Sequence, residues 1–537
     1  MEVVASSGWG LDRIFIDHVG LITVLAGIVV GYFVWAAVDQ WVLHRGRKGP
    51  VHWPILGATV EVLRNYDHLN DWCVPYFLRD GLTFPCGLAD VKYTFTADPA
   101  NVEHILKTSF DNYPKGEVFH KTFEIFFGDG IFNVDGELWK RQRRLASHEF
   151  SSTKLRDYSS VVYRDYSLRM ASILSDASAT QRVLDMQDLF LRFTMDSIFK
   201  VTFGYEIGTL KPELPDIPFA DAFALTNEIA SSRFMNPFWK LQRVLNVGSE
   251  ATIAKSAKVV DDFIYDVMKA RNAENLQNSG QSDLFTRFKL LNEGGKELTD
   301  KTLRDTLLNF LIAGRDSSGL TMSWFIYMMT LHPHIEQKLF EELRDLDTEN
   351  VVNGDMSSKE VPQTGGDDYF HERVERFSEL LTFDALLNLQ YLHACILETL
   401  RLYPVVPLNP KSVAADDTLP DGTEVKKGEF VMYAAYAMGR MPSLWGPDAT
   451  EFKPERWLVD GGVQPESPFK FVTFQAGPRI CIGKDSAMLQ LRIVLATLCR
   501  FFTFQVVPGI DVKYRQMSTL LLAHPGLPVT VAKRSLD

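Results

Sequence analysis

Phe474-Gln475-Ala476-Gly477-Pro478-Arg479-Ile480-Cys481-Ile482-Gly483 sets one cysteine among glycines, an aromatic ring and a permanent cation, with the spacing F-x-x-G-x-R-x-C-x-G. An apolar, helix-compatible run from Lys484 to Phe502 follows directly, so Cys481 sits at the mouth of a predicted helix. The orphan N–H groups and positive end of such a helix favour a thiolate over a thiol. Gly477 and Gly483 permit backbone conformations closed to other residues, which lets amides approach the sulfur. A thiolate held this way is a good soft ligand for iron. A buried free cysteine is the bland alternative and the more usual fate of a lone Cys.

Three further groupings have residue types and spacing that could do chemistry or support it. Trp139 and Arg143 lie four apart, on one face of a predicted helix that opens after the turn-rich Gly128 to Gly136. Ala313-Gly314-Arg315-Asp316-Ser317-Ser318 places small residues, an acid and an alcohol in the middle of the longest helical pattern, Thr299 to Leu331. A mid-helix glycine costs stability, so it needs a reason: close helix packing, or room for a flat cofactor and dioxygen. The Ser317 hydroxyl can bond back to the Ala313 carbonyl and loosen the helix there. Glu398 and Arg401, three apart and flanked by Leu397, Leu400 and Leu402, read as a buried ion pair.

Together these stretches resemble the cytochrome P-450 family, the haem-thiolate monooxygenases. The resemblance runs from Gly49 to the C-terminus. It implies the mostly helical haem-thiolate fold with small β sheets, and heme b with Cys481 as the axial thiolate on iron. Phe474, Gly477, Arg479 and Gly483 complete the implied cofactor loop. W-x-x-x-R matches the helix whose Trp139 and Arg143 would hydrogen-bond a haem propionate; Arg suits this because it stays charged and grips carboxylates bidentately. Asp316 and Ser317 resemble the oxygen-activation motif, relaying protons to bound oxygen. The family usually has Thr where this chain has Ser317, so the hydroxyl is kept and the methyl that restricts its rotamer is lost. Glu398, Arg401 and Arg456 resemble a structural network that supports the cysteine loop. Asn112-Tyr113-Pro114-Lys115-Gly116, Ser147-His148-Glu149-Phe150-Ser151 and Asn236-Pro237-Phe238-Trp239 look like the plant fatty-acid omega-hydroxylase clan.

The elements that must position these residues are mainly helices. Val91 to Thr96 alternates as a strand, and Asp98-Pro99 opens a helix as cap and first residue. Successive amphipathic helices fill residues 150 to 290, broken by a three-proline surface loop from Gly204 to Pro218. The aromatic patch from Ser231 to Trp239 reads as core, or by resemblance as lid helices over a substrate channel. Asp345 to Arg376 is polar and glycine-bearing and reads as an exposed insertion. Met517 to Leu522 and Val529 to Val531 suit a closing β hairpin. By resemblance, the segments at Val405 and Leu520 line a substrate pocket.

The 537 residues allow a sizeable core, and 46% hydrophobic with 23% charged is globular composition. A net charge of −12 does not point to a nucleic-acid partner. Five scattered cysteines form no disulfide framework, no C-x-x-C pair and no C-x-x-C-H haem attachment, which fits a reducing compartment. From His18 to Val38 there is no charged side chain apart from the histidine, and roughly 20 apolar residues suffice to span a bilayer. Arg45, Arg47 and Lys48 follow, the side expected to stay cytosolic. A cleaved signal peptide or a core helix are the alternatives. Residues 1–48 are therefore expected to be one transmembrane helix with a basic flank, and 49–537 the catalytic body, cytosolic at the endoplasmic reticulum membrane. Gly49 to Gly57 is an irregular, proline-punctuated hinge between them.

The resemblance implies insertion of one oxygen atom from O2 into the terminal carbon of a long-chain fatty acid. Electrons would come from NADPH through NADPH-cytochrome P-450 reductase at the membrane. A haem-thiolate isomerase or dehydratase of hydroperoxides is one rival, and it would not need Asp316 and Ser317. A haem-binding sensor without turnover is the other.

Overall fold

In the computed structural model, residues 23–36, 38, 47–53, 55–89, 91–234, 236, 238–273, 283–290, 299–352 and 367–535 are described. The helices on which the site depends are α1 (Gly116–Phe127), α2 (Gly136–Phe150), α3 (Thr153–Thr180), α4 (Met186–Phe203), α5 (Pro218–Ser232), α6 (Gly248–Ala273), α7 (Asp300–Leu331), α8 (Gln390–Leu402) and α9 (Lys484–Phe501). The strands used below are β1 (Thr83–Leu88), β2 (Val91–Thr96), β3 (Leu184–Asp185), β4 (Asn409–Ser412), β5 (Phe430–Tyr433), β6 (Phe502–Val506), β7 (Tyr514–Gln516), β8 (Leu520–Leu522) and β9 (Pro528–Lys533). The molecule is mostly helical with small sheets, as the sequence leads one to expect.

Two helices are core on nearly every face. In α9 every residue from Met488 to Phe501 is buried, which marks a helix enclosed by others rather than an amphipathic surface helix. The 32-residue α7 begins at the Thr299 cap, whose hydroxyl accepts from the Thr302 amide at 3.2 Å, and ends at Leu331 before Pro333. It packs along α4 and also touches α8 and α9. The α4 contact explains the mid-helix glycines. A Cβ on Gly314 would lie 2.7 Å from Ile198 Cδ1, and one on Gly319 would lie 3.1 Å from Leu191 Cδ2. Close helix packing, not cofactor room, is thus what Gly314 serves. The helix stays regular through Ala313 to Ser318, without the loosening expected there.

A four-stranded sheet has the order β1-β2-β5-β4, with β2 and β5 parallel and Asn409 opposite Tyr433. The expected C-terminal hairpin is not formed. β8 pairs with β7, and β9 pairs with β6 and β3. The reason is that β6 runs straight out of α9 and offers β9 a five-residue edge, while β8 is held elsewhere. Trp324 of α7 donates its indole N–H to the Leu520 carbonyl at 2.8 Å, and the Leu520 amide donates to Val405 at 2.8 Å. The segments at Val405 and Leu520 are thus joined.

The polar stretch 345–376 is mostly helix where it is described: Pro333–Val352 and Asp367–Leu380. Asp347 is buried and accepts from Arg500 at 2.7 and 3.0 Å and from Arg373 at 2.8 Å. The two described ends of the stretch are thus helical and tied down by paired ions, while residues 353–366, on which the expected exposed insertion falls, lie outside the described ones. Among the described residues no helix is long and apolar enough to cross a membrane. The run expected to do so starts outside them, and its described part is helical over 23–36 with Val24, Ile28 and Phe33 exposed.

Glu398 has no accessible surface. Its carboxylate accepts from Arg401 at 2.7 and 2.8 Å, from Arg456 at 3.1 Å, from the Trp457 indole at 2.9 Å and from the Lys453 amide at 2.8 Å. Removing its charge strands a buried guanidinium. Glu398→Gln is expected to cost about 3–5 kcal/mol, read as a lowered denaturation midpoint; an unchanged midpoint would refute the assignment.

Candidate functional site

The cysteine loop is built against backbone. Gly477 has φ +61°, and a Cβ there would collide with the Leu106 carbonyl, so only glycine fits. Gln475 also has positive φ, at +60°, and its side chain is held from both sides: the Tyr433 hydroxyl donates to Oε1, and Nε2 donates to Asn409 Oδ1 at 2.7 Å. Strands β4 and β5 therefore fix the loop in a conformation it would not choose alone. The Thr473 hydroxyl ties it to the Leu400 carbonyl of α8 at 3.2 Å, and the Cys481 amide donates to Phe474 at 2.8 Å. Gly483 caps α9 with an ordinary φ of −85°, so it is not there for conformational freedom. A Cβ on it would meet no protein atom within 4 Å.

Of the five cysteines, four are buried and Cys481 is exposed. Desolvation by the protein packed beside it pushes its thiol up from the usual value, while the Gly483 amide, Arg143 and Lys484 pull it down. The helix end alone does not win here; metal coordination would have to set the thiolate.

Above the loop the charges do not balance. Arg479 donates to Asp135 Oδ1 at 2.5 Å and to the Val134 carbonyl at 3.0 Å, and its guanidinium lies 4.4 Å from the Trp139 ring centre. Asp135 also accepts the Lys115 and Gly116 amides at 3.1 and 2.9 Å. Arg143, half-buried, has no hydrogen bond or ion pair among the described residues, nor does the Trp139 indole N–H. The buried Lys411 ammonium has none either. Burial first, and then Arg479, push Lys411 down to about 7 and hold Lys115 well below the usual lysine range. Two arginines and two lysines of depressed basicity thus gather around one carboxylate, Asp135, which is paired with Arg479. Arg143 and the Trp139 indole N–H are left with donors for further carboxylates, such as the propionates of a haem. With the accessible Cys481 sulfur and the open side of Gly483, the residues present fit a haem.

Asp316 and Ser317 stand apart from this cluster, on α7. The Ser317 hydroxyl donates to the Ala313 carbonyl at 2.5 Å, the back-bond expected from the spacing. Asp316 is buried; it accepts from Asn227 Nδ2 of α5 at 2.8 Å and from Arg315 at 2.7 Å. Arg315 in turn faces the Phe223 ring at 5.5 Å. The acid is therefore tied to α5.

Sequence reasoning missed Lys411, Lys115, Asp135, Asn227 and Gln475. A lone lysine in a four-residue strand carries no periodicity, so nothing marks it. Asp135 had a signal: it precedes Gly136 at the start of the helix that carries Trp139. Arg143→Leu should keep the fold and weaken haem retention by about 1.5–3 kcal/mol, the worth of a hydrogen bond to a charged group. Haem content and haem dissociation rate measure this; retention equal to the parent protein would remove Arg143 from the site.

The chain matches the family model described as Cytochrome P450 over residues 48–359 and 370–531. The unmatched residues 360–369 fall inside the polar stretch discussed above. The chain is 48% identical over 517 residues to Cytochrome P450 704B1 of Arabidopsis thaliana, covering 93% of this chain and 98% of that protein. It is 43% identical over 511 residues to Cytochrome P450 704C1 of Pinus taeda, with 93% and 96% covered. To Cytochrome P450 86B1 of Arabidopsis thaliana it is 36% identical over 523 residues, with 95% and 90% covered. Since the match runs through the cysteine loop, the α7 acid and alcohol, and the Glu398 network, the chain belongs to the cytochrome P450 family of haem-thiolate monooxygenases.

Proposed function

We propose that the protein hydroxylates a long-chain fatty acid at its terminal carbon, taking electrons from NADPH through NADPH-cytochrome P-450 reductase. Cys481 would hold the haem iron; Trp139, Arg143, Arg479 and Lys411 would hold the propionates. Bound haem supplies dioxygen activation, with one oxygen atom entering the substrate C–H bond and the other leaving as water. Two electrons from NADPH and two protons balance the reaction. The protein's part is to bring protons and to aim the substrate.

In this reading Asp316 gathers protons at its carboxylate, and the Ser317 hydroxyl, released from the Ala313 carbonyl, hands them on. A hydroperoxide isomerase needs no such pair. The substrate class rests on the motifs that resemble the plant fatty-acid omega-hydroxylase clan, and the apolar packing on the α5 side of this pair agrees with it. Phe223, beside Arg315, packs on Phe126 at 5.1 Å; Phe126 lies against Phe127 at 5.7 Å. Phe127 stacks on Phe123 at 4.7 Å, and Phe123 meets Phe234 at the surface at 5.6 Å. All of these rings but Phe234 are buried, so they make the surroundings on the α5 side apolar, which suits an alkyl chain better than a polar substrate. A primary C–H bond is the strongest on the chain, so terminal selectivity has to come from geometry that presents only the chain end.

We place the protein at the endoplasmic reticulum membrane, with residues 1–48 as a single-pass anchor and the catalytic body in the cytosol. The apolar run from His18 to Val38 supports this, as do exposed Phe238, Leu241, Val244 and Leu245 after α5. Deleting Met1 to Gln40 should leave haem binding intact, weaken membrane attachment and keep some residual binding through that second patch. Loss of the folded haem protein on truncation would contradict this.

Product analysis on a fatty-acid panel with reductase and NADPH tests the substrate class; products hydroxylated only within the chain, or none, would overturn it. Ser317→Ala tests the relay. It should keep the haem spectrum and fatty-acid affinity while product per NADPH falls by about 10²-fold and peroxide appears. Ser317→Thr should couple at least as well as the parent, because the added methyl restricts the rotamer. Full coupling in the alanine variant would sink the relay.

A further inference from the structure

A cavity of about 470 Å³ lies where the first turns of α3 and α9 come together. None of the residues assigned above to haem or to proton delivery lines it. Its wall includes Arg492, 8% exposed, whose Nε is buried without a hydrogen-bond partner. The guanidinium has no ion pair among the described residues; Asp485, seven positions earlier, attracts it from beyond ion-pair distance. Burying a guanidinium N–H without an acceptor is costly, and an arginine this enclosed is rarely kept unless something pairs with it.

The surroundings add donors. Ser152 and Thr153, the cap and first residue of the 28-residue α3, line the cavity, and Ser152 makes no side-chain cap. The 18-residue α9 likewise starts without one, and its first residue, Lys484, sits exposed at the rim. The start of α3 therefore brings amides without a side-chain cap to the cavity, beside the Lys484 ammonium of α9, whose Gly483 amide serves Cys481. His393 lines the cavity too; burial, then Arg492 and Lys484, push it down to about 3, so the ring is neutral and has one N–H to donate. Of the acids present, Glu466 is paired with Lys470 at 2.6 Å, and Asp485 is exposed. Leu155, Leu397 and Met488 make the rest of the wall apolar.

We propose that this cavity binds an oxyanion of the phosphate or carboxylate class, with Arg492 as its anchor. Its volume exceeds what a bare phosphate needs and falls in the range of small-molecule sites, so the head group belongs to an organic molecule whose apolar part meets the leucines.

The test uses the full-length, haem-loaded protein titrated with inorganic phosphate, and separately with acetate, at an ionic strength held constant by chloride. Calorimetry should show saturable binding of at least one of the two, and which one saturates tells a phosphate head from a carboxylate head. Arg492→Gln should weaken it by 10-fold or more, while the thiolate spectrum is unchanged; Arg492→Lys should recover part of the loss. If Arg492→Gln does not load haem, Lys484→Gln at the rim decides, with a several-fold weakening expected. Absence of saturable binding to the parent protein, or an affinity unchanged in whichever of these variants loads haem, would overturn the proposal.

Discussion

One buried carboxylate holds the cysteine loop in place. Glu398 accepts five hydrogen bonds with no water to share them, and its partner Arg401 spends its remaining donors on the carbonyls of Gly439, Ala449 and Glu451. The chain between α8 and α9 is thereby pinned at several points that are distant in sequence. A pair this enclosed adds little net stability compared with hydrophobic packing. What it supplies is a single geometry: the guanidinium cannot leave one carbonyl without losing several partners. The loop carrying Cys481 inherits that rigidity through the Thr473 hydroxyl on Leu400 and the Gln475 side chain between β4 and β5.

On the cysteine side the physics is reversed. Here basic groups are gathered around a single carboxylate. Asp135 pairs with Arg479, burial depresses Lys115 and Lys411, and Arg143 is left without an ion pair among the described residues. Burial lets the lysines shed their protons, whereas an arginine stays charged, so the half-buried Arg143 without a partner is the feature that a ligand would complete. The sulfur fits the same logic: Cys481 is exposed while the other four cysteines are buried, so it is the thiol left accessible to a ligand.

The central helix α7 divides its labour by face. Gly314 and Gly319 are spent on close approach to α4, so this side is packing. Ser317 and Asp316 face elsewhere, the first bonded to its own helix and the second to α5. Because Asn227 sits on α5, movement of that helix would be felt at the acid. The position of α5 and the carboxylate of Asp316 are thus mechanically connected through one 2.8 Å hydrogen bond.

Much of this was legible in the residue order. The cysteine loop, the Trp139 and Arg143 face, the back-bond of Ser317 to Ala313 and the pairing of Glu398 with Arg401 are all short-range, with spacings set by helix geometry or loop chemistry. Gly477 was legible for the same reason, since a left-handed residue advertises itself as glycine. What only the tertiary structure decided depends on partners far apart in the chain. The purpose of Gly314 is set by Ile198, more than 100 positions away, and the partner of β9 is set by where α9 ends. The helical character of much of 345–376 rests on Asp347 finding Arg500. Lys411 gains its meaning from Arg479 and Asp135, and Arg492 from the meeting of two helix starts. No periodicity or motif marks a lone buried cation, because its burial is a property of the packed chain and not of its neighbours in sequence.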